Sequence, residues 1–398
     1  MIRVAHLVTR LDFGGAQQNT LYTAGHLDPA RFDVSVVCGR GGLLDEEALR
    51  SSAALPRPFR LFFLPSLVRE ISLLRDLRAF FQLISWLRRE RPHVVHTHSS
   101  KAGVLGRLAA RAAGVPVIVH TYHGFGFHER QSAVVRGFYT AIERLCVSAS
   151  DWTLFVSEDN RRWAERLGLA RGGPDPGRGG RCSILRSGVK LSELPARLAD
   201  RGRKKEELGF SARAPLVVSV GNLKAQKNPE AFVRLAARCL DSFPDARFLF
   251  VGDGELRPRV EAQLAASGLG GKVLFPGWRK DTAEILAAAD VFVLSSLWEG
   301  LPRALVEAMK TGLPCVCYAA GGVRDVLKDG ENGFVVEPGD EAALAERVAS
   351  LLREPARAAE VGRRAAASVG DEFDIDAMVR AQESLYLRLL GEKGLAPV

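Results

Sequence analysis

Short β-branched, apolar runs alternate with longer stretches of helical periodicity along this chain, the pattern of a layered parallel α/β protein. Residues 2–8, 33–38, 94–98, 117–120 and 152–156 read as strands. A turn at Asp12-Phe-Gly-Gly-Ala16 and a helix near 17–27 follow the first of them, and another helical stretch fills 100–113. The Gly/Pro/Arg-rich segment 171–181 has no periodicity and reads as an exposed loop. The pattern then restarts with strands at 216–220, 247–251, 273–275, 291–294 and 314–318, and a helix opening at Pro229. Pro302 suits a first helical turn and Gly312 a stop, so a helix is expected over about 302–311. The restart predicts two Rossmann-like domains, 1–190 and 191–375, facing each other across a cleft, with a last helix in 376–398 packing back on the N-terminal domain.

Composition narrows the class. The chain has 398 residues, 47% hydrophobic and 25% charged, enough for two buried cores. No run of about 18 apolar residues suggests a membrane span, and the opening MIRVAHLV enters a strand without the layout of a signal peptide. Six scattered Cys in apolar surroundings read as reduced core thiols of a cytoplasmic protein, not as a disulfide framework. Of the 55 Lys and Arg, 27 lie in residues 1–190 against 16 Asp and Glu; the rest of the chain holds 28 against 30. This excess has two readings: a surface for an anionic partner such as membrane lipid, or an Arg content set by genome composition. No basic helix-turn-helix or zinc-finger spacing occurs, so nucleic acid is not expected. Segment 66–91 is amphipathic and carries six Arg; it is either a surface helix or two packed on the sheet, or a basic element lying on an anionic membrane.

Several stretches could carry chemistry. Gly14-Gly15 after the first strand is either a tight turn or a place where backbone approaches an anion at a helix N-terminus. The turn Gly221-Asn-Leu-Lys-Ala-Gln-Lys-Asn-Pro229 holds Lys224 and Lys227, which either are solvated or reach a phosphate aided by the helix dipole. It lacks the Gly-Lys-Ser/Thr of a P-loop. In Trp298-Glu-Gly-Leu-Pro-Arg-Ala-Leu-Val-Glu-Ala-Met309, Glu299 precedes a helix and Glu307 lies inside it. Both can accept hydrogen bonds from sugar hydroxyls, and their spacing does not suit a glycosidase pair. Asp374-Ile-Asp376 resembles a metal-binding DxD but sits where Asp caps a helix. His96 and His98 alternate on a strand with no Cys or acid in register, so zinc is not expected; His98 is a cleft candidate and His96 a buried residue.

Glu299 and Glu307 form an E-x7-E motif, and SLWEGLPRALVEAMKTGLPCV resembles the donor-site signature of retaining GT-B glycosyltransferases of family 4. The resemblance extends over Gly14-Gly15, His98, His123-Gly124, GNLKAQKN, VGDGE, FPGW and Gly321-Gly322 to Phe334, in effect residues 1 to about 375. It implies a retaining, metal-independent hexosyltransferase without a cofactor, whose donor is a UDP- or GDP-sugar and whose acceptor is a sugar or lipid-linked glycan of cell-surface polysaccharide synthesis. By the same resemblance Glu299, Gly300 and Leu301 hold the donor sugar and phosphate, Glu307 the ribose, and Lys227 the diphosphate, approached by Gly15. Gly277 and Arg279 lie near the base, and His123 stands at the reacting centre. Asn222 occupies a place where the family often has Arg, with Lys224 as a substitute charge. The implied location is cytoplasmic, peripheral on the inner face of the membrane. A UDP-sugar epimerase of the same fold and a non-catalytic sugar-nucleotide binder are the alternatives.

Overall fold

A computed structural model of the chain describes residues 1–127, 131–170, 180–198 and 200–395. Most of the Gly/Pro/Arg-rich segment, 171–179, lies outside the described residues. The chain divides into two compact units. One comprises Met1–Gly188 and the C-terminal segment from Ile375; the other is Val189–Asp374.

The first unit is built on a parallel sheet of β1 (Ile2–Arg10), β2 (Phe32–Gly39), β3 (Arg60–Phe63), β4 (Val94–His98), β5 (Val117–Tyr122), β6 (Trp152–Phe155) and β7 (Cys182–Ile184). The strand order is β3-β2-β1-β4-β5-β6-β7, so the direction of progression reverses between β1 and β4. Both faces are covered, which is why the central strands read as apolar runs and not as alternation. Ile2, Val4, Phe32 and Val117 pack in one cluster with Met378, Val379, Tyr386 and Leu389 of the helix Ile375–Glu392. Leu7, Val95 and Ile118 pack with Leu83, Trp86 and Leu87 of the helix Leu73–Glu90. Segment 66–91 thus holds one helix, which ends at Arg91 in the left-handed region (φ 48°).

The second unit repeats the plan with β8 (Leu216–Val220), β9 (Arg247–Val251), β10 (Val273–Gly277), β11 (Val291–Leu294), β12 (Cys315–Tyr318) and β13 (Phe334–Val336). Their order, β10-β9-β8-β11-β12-β13, reverses between β8 and β11. Loops leaving the C-terminal ends of two strands that flank such a reversal diverge to opposite faces and leave a crevice. All six Cys are free and buried. Cys315 and Cys317 of β12 point into a packed sheet where burial raises both thiols.

Candidate functional site

The crevice of the second unit is formed by two loops. After β8 the chain turns through Gly221–Asn228 into the helix Pro229–Leu240, with Asn228 left-handed (φ 49°) and Pro229 in the first turn. After β11 it runs through Ser295–Leu301 into the helix Arg303–Lys310. The two loops are stitched together. Leu297 donates its amide to the Gln226 carbonyl at 2.8 Å, and Ser295 Oγ donates to the carbonyls of Lys227 (3.0 Å) and Asn228 (3.1 Å).

This stitching brings Lys227 Nζ to 2.5 Å from Glu299 Oε1, across 72 positions of sequence. The Glu299 side chain is only 6% exposed and that of Lys227 16%, so the pair is poorly screened by solvent. Gln226 Nε2 donates to the Trp298 carbonyl at 2.9 Å and lies 3.5 Å from the second carboxylate oxygen of Glu299. Gly321 supports the same residue from behind: it is left-handed (φ +54°), and a Cβ placed there would lie 2.1 Å from the Glu299 carbonyl oxygen.

The helix beside them begins one residue later than the spacing suggests. Pro302 is its N-cap, with extended ψ, and Arg303 its first residue. Gly300 and Leu301 are buried at this mouth, where first-turn amides lack intrahelical partners and the dipole favours an anion. Glu307 projects from the helix interior, with Arg303 3.8 Å away, and its side chain is 23% exposed. A Schellman ending closes the helix: Gly312 (φ +77°) donates to Met309 and Leu313 to Ala308. An ammonium, a carboxylate and a helix mouth therefore meet at one sheet reversal, with Glu307 further along the same helix. Together they can hold a ligand with adjacent anionic and hydroxyl groups.

Of the other residues named above, two share the turn of Lys227, and the rest stand apart from it or lie in the other unit. Asn222 and Lys224 lie in the same turn as Lys227, and the Lys224 carbonyl accepts from the Lys227 amide at 2.9 Å. Gly277 ends β10, two strands from β8, and Arg279 just beyond it holds both carboxylate oxygens of Asp281 at 2.8 Å. Gly15 opens the helix Gly15–His26 in the first unit, with Gly14 extended before it. Asp376 accepts a 2.6 Å hydrogen bond from Tyr22, which ties the helix Ile375–Glu392 to its own unit.

His123, just beyond β5, sits beside a group of buried imidazoles. His6 Nδ1 lies 3.0 Å from His98 Nε2, and His98 Nδ1 lies 3.1 Å from His123 Nε2. His96 is engaged on both sides, by Tyr386 at 2.6 Å and by Thr121 at 2.7 Å. One nitrogen each of His6, His96 and His98 lies within 4.8 Å of the others, the only such group among the described residues, and all three residues are buried. The hydrogen bonds occupy both nitrogens of His96 and of His98. His98 and His123 also line a cavity of about 20 Å³ with Asn19, Thr20, Arg186 and Gln382, room for a single water. Nothing in the spacing of the sequence links residue 6 to residue 123; only the register of β1, β4 and β5 does.

Burial drives these rings toward the neutral form. It lowers His6 to about 3 and His123 to about 4, and holds His96, His98 and His120 well below the ordinary imidazole range. An unfolded chain protonates the same rings near pH 6.5, so their stability contribution is complete above that value and is lost as the pH falls toward 4. Each ring then destabilises the first unit by about 1.4 kcal/mol per pH unit. Urea midpoints taken between pH 7.5 and 4.5 are expected to fall steeply below 6.5, and a flat profile would contradict the neutral assignment.

Residues 14–173 match the glycosyl transferase 4-like domain, and residues 200–368 match glycosyl transferases group 1. Over 343 residues the chain is 34% identical to the UDP-Gal:alpha-D-GlcNAc-diphosphoundecaprenol alpha-1,3-galactosyltransferase of Escherichia coli, covering 85% of each chain. HepE of Anabaena, solved with UDP and glucose, aligns with a TM-score of 0.78 at 20% identity, over 97% of this chain and 99% of that one. Sucrose-phosphate synthase of Thermosynechococcus elongatus gives a TM-score of 0.81 at 21% identity, over 98% and 100%. At these identities the two structures speak for the fold alone.

Proposed function

Because the chain belongs to the GT-B glycosyltransferases of family 4, we propose that it moves a sugar from a UDP-sugar to a hydroxyl of a lipid-linked glycan in cell-surface polysaccharide synthesis, retaining the anomeric configuration and without a catalytic metal. The observation that carries this reading is the contact of Lys227 with Glu299 at the mouth of the helix Arg303–Lys310. In the absence of donor each charge neutralises the other. On binding, the diphosphate takes Lys227 and the helix-mouth amides of Gly300 and Leu301, while hydroxyls of the sugar donate to Glu299. Negative charge grows on the diphosphate as the glycosidic bond breaks, and a fixed ammonium and fixed amides stabilise it without reorganising. The leaving phosphate oxygen itself takes the acceptor proton. Glu307 receives the ribose diol, Gly277 and Arg279 flank the base, and Gly15 and His123 serve from the first unit.

The choice of UDP follows the donor in the name of the E. coli relative. The test is a calorimetric screen of UDP-, GDP- and ADP-sugars, followed by transfer assays with and without EDTA and NMR of the product anomer. Binding of UDP-sugars, transfer that survives EDTA and a retained anomer are expected. A strict metal requirement would overturn the charge-neutralising role of Lys227, and conversion of the donor alone into an epimer would favour the epimerase.

A lipid-linked acceptor calls for contact with a membrane surface. No helix among the described residues is long and apolar enough to cross one. Leu73, Leu74, Leu77 and Phe81 of the helix Leu73–Glu90 are exposed, with Leu74 at 82%, beside exposed Arg75 and Arg78. Val134 and Phe138 of the helix Ala133–Ala149 are exposed as well, and both helices pack against the helix Ser100–Ala113. Such an apolar patch with a basic rim suits an anionic lipid surface. Replacing Leu73, Leu74 and Leu77 by Ser is expected to weaken co-sedimentation with anionic vesicles at least about tenfold. Binding independent of both anionic lipid and these leucines would refute the contact.

A further inference from the structure

His6, His98 and His123 form one line of hydrogen bonds, and its two ends are unsatisfied. His6 Nε2 and His123 Nδ1 are buried without a partner among the described residues, while the four nitrogens between them make two N–H···N contacts of 3.0 and 3.1 Å. A neutral imidazole carries one donor and one acceptor nitrogen. If His6 donates from Nδ1, His98 must accept at Nε2 and therefore donates from Nδ1, which leaves His123 protonated at Nδ1. If His123 instead donates from Nε2, all three rings are protonated at Nε2 and His123 presents a bare Nδ1. No mixed set of neutral rings satisfies both contacts.

We propose that His98, backed by His6, is a positioning residue that couples the tautomer of His123 to those of the two rings behind it, so that the His123 ring serves the reactants in one of two concerted hydrogen-bonding senses and not in a mixture. The ring stack supports this rigidity: the His6 and His98 ring centroids are 5.3 Å apart at 21°, and those of His98 and His123 are 5.3 Å apart at 35°. His6 and His98 are buried and His123 is half-buried, so bulk water does not compete for the two N–H···N contacts between them. The inference rests on His123 serving the reacting centre, whereas the coupling of the three tautomers does not.

Ring ¹⁵N NMR of the whole protein tests the coupling directly. His6, His98 and His123 are expected to share one tautomer, and opposite senses in any two of them overturn the proposal. In His98→Leu the His123 nitrogens are expected to shift to a mixture of forms, with kcat lowered at least about tenfold and the donor KM changed less than about twofold. His98→Gln, which can still donate or accept, is expected to recover part of kcat. The double variant His98→Leu/His123→Ala is expected to be no slower than His123→Ala, and additive losses would mean that His98 acts by another route. If His123→Ala transfers sugar at the wild-type rate, the role of His123 fails while the NMR result still decides the coupling. If His98→Leu does not fold, the wild-type spectrum alone decides it.

Discussion

Replacing Lys227 by Ala is expected to lower kcat by about 10²–10³-fold, the loss typical of removing one preorganised group from a developing anion. The same substitution is expected to destabilise the second unit by about 2–4 kcal/mol, because the Glu299 carboxylate, 6% exposed, is left buried with a 3.5 Å contact to Gln226 in place of its ion pair. The two losses have different cures. Lys227→Ala/Glu299→Gln removes the uncompensated charge, so its urea midpoint is expected to return toward wild type while kcat stays at least as low as in Lys227→Ala. If Lys227→Ala turns over within about threefold of wild type, the ion pair is only structural and the diphosphate is held elsewhere.

Gly321→Val carries the second large effect, although residue 321 offers no chemistry of its own. Its φ of +54° is a left-handed conformation that costs a β-carbon residue about 1–2 kcal/mol. The new Cβ would also stand 2.1 Å from the Glu299 carbonyl oxygen, a backbone atom that cannot swing aside. Overpacking adds about 1–3 kcal/mol. The relief is movement of Glu299 away from Lys227, so kcat is expected to fall at least about tenfold along with the urea midpoint. Gly339 supplies the control: its φ is +99°, but a Cβ there meets nothing within 4 Å. Gly339→Ala is expected to cost stability through strain alone and to leave kcat unchanged. Equal loss of activity in both variants would show that general destabilisation, and not displacement of Glu299, is responsible.

What could be read without coordinates followed burial. Residues 216–220, 247–251 and 291–294 are covered on both faces, so their apolar runs announced strands. The edge strand Arg60–Phe63 is half exposed, begins with Arg and has no clean period, and it went unread. The three-residue strands at 182–184 and 334–336 are too short to carry a pattern. At the candidate site, the resemblance assigned Lys227 and Glu299 to separate parts of one ligand. It contained nothing about their contact, the Gln226 and Ser295 bonds that enforce it, or the chain of imidazoles.

Local signals carried the alternation of strands and helices, the restart of that pattern in the second half, and the E-x7-E motif that marks the family. These are local properties, written in neighbouring residues through apolar period, turn chemistry and residue type. Tertiary structure decided which loops meet. Sheet order alone sets β8 beside β11, and so residue 227 against residue 299. It likewise sets β1 beside β4 and β4 beside β5, and so His6 against His98 and His98 against His123. Pairing between distant strands is selected by the packing of whole layers, a global term of the free energy that no short stretch of sequence carries.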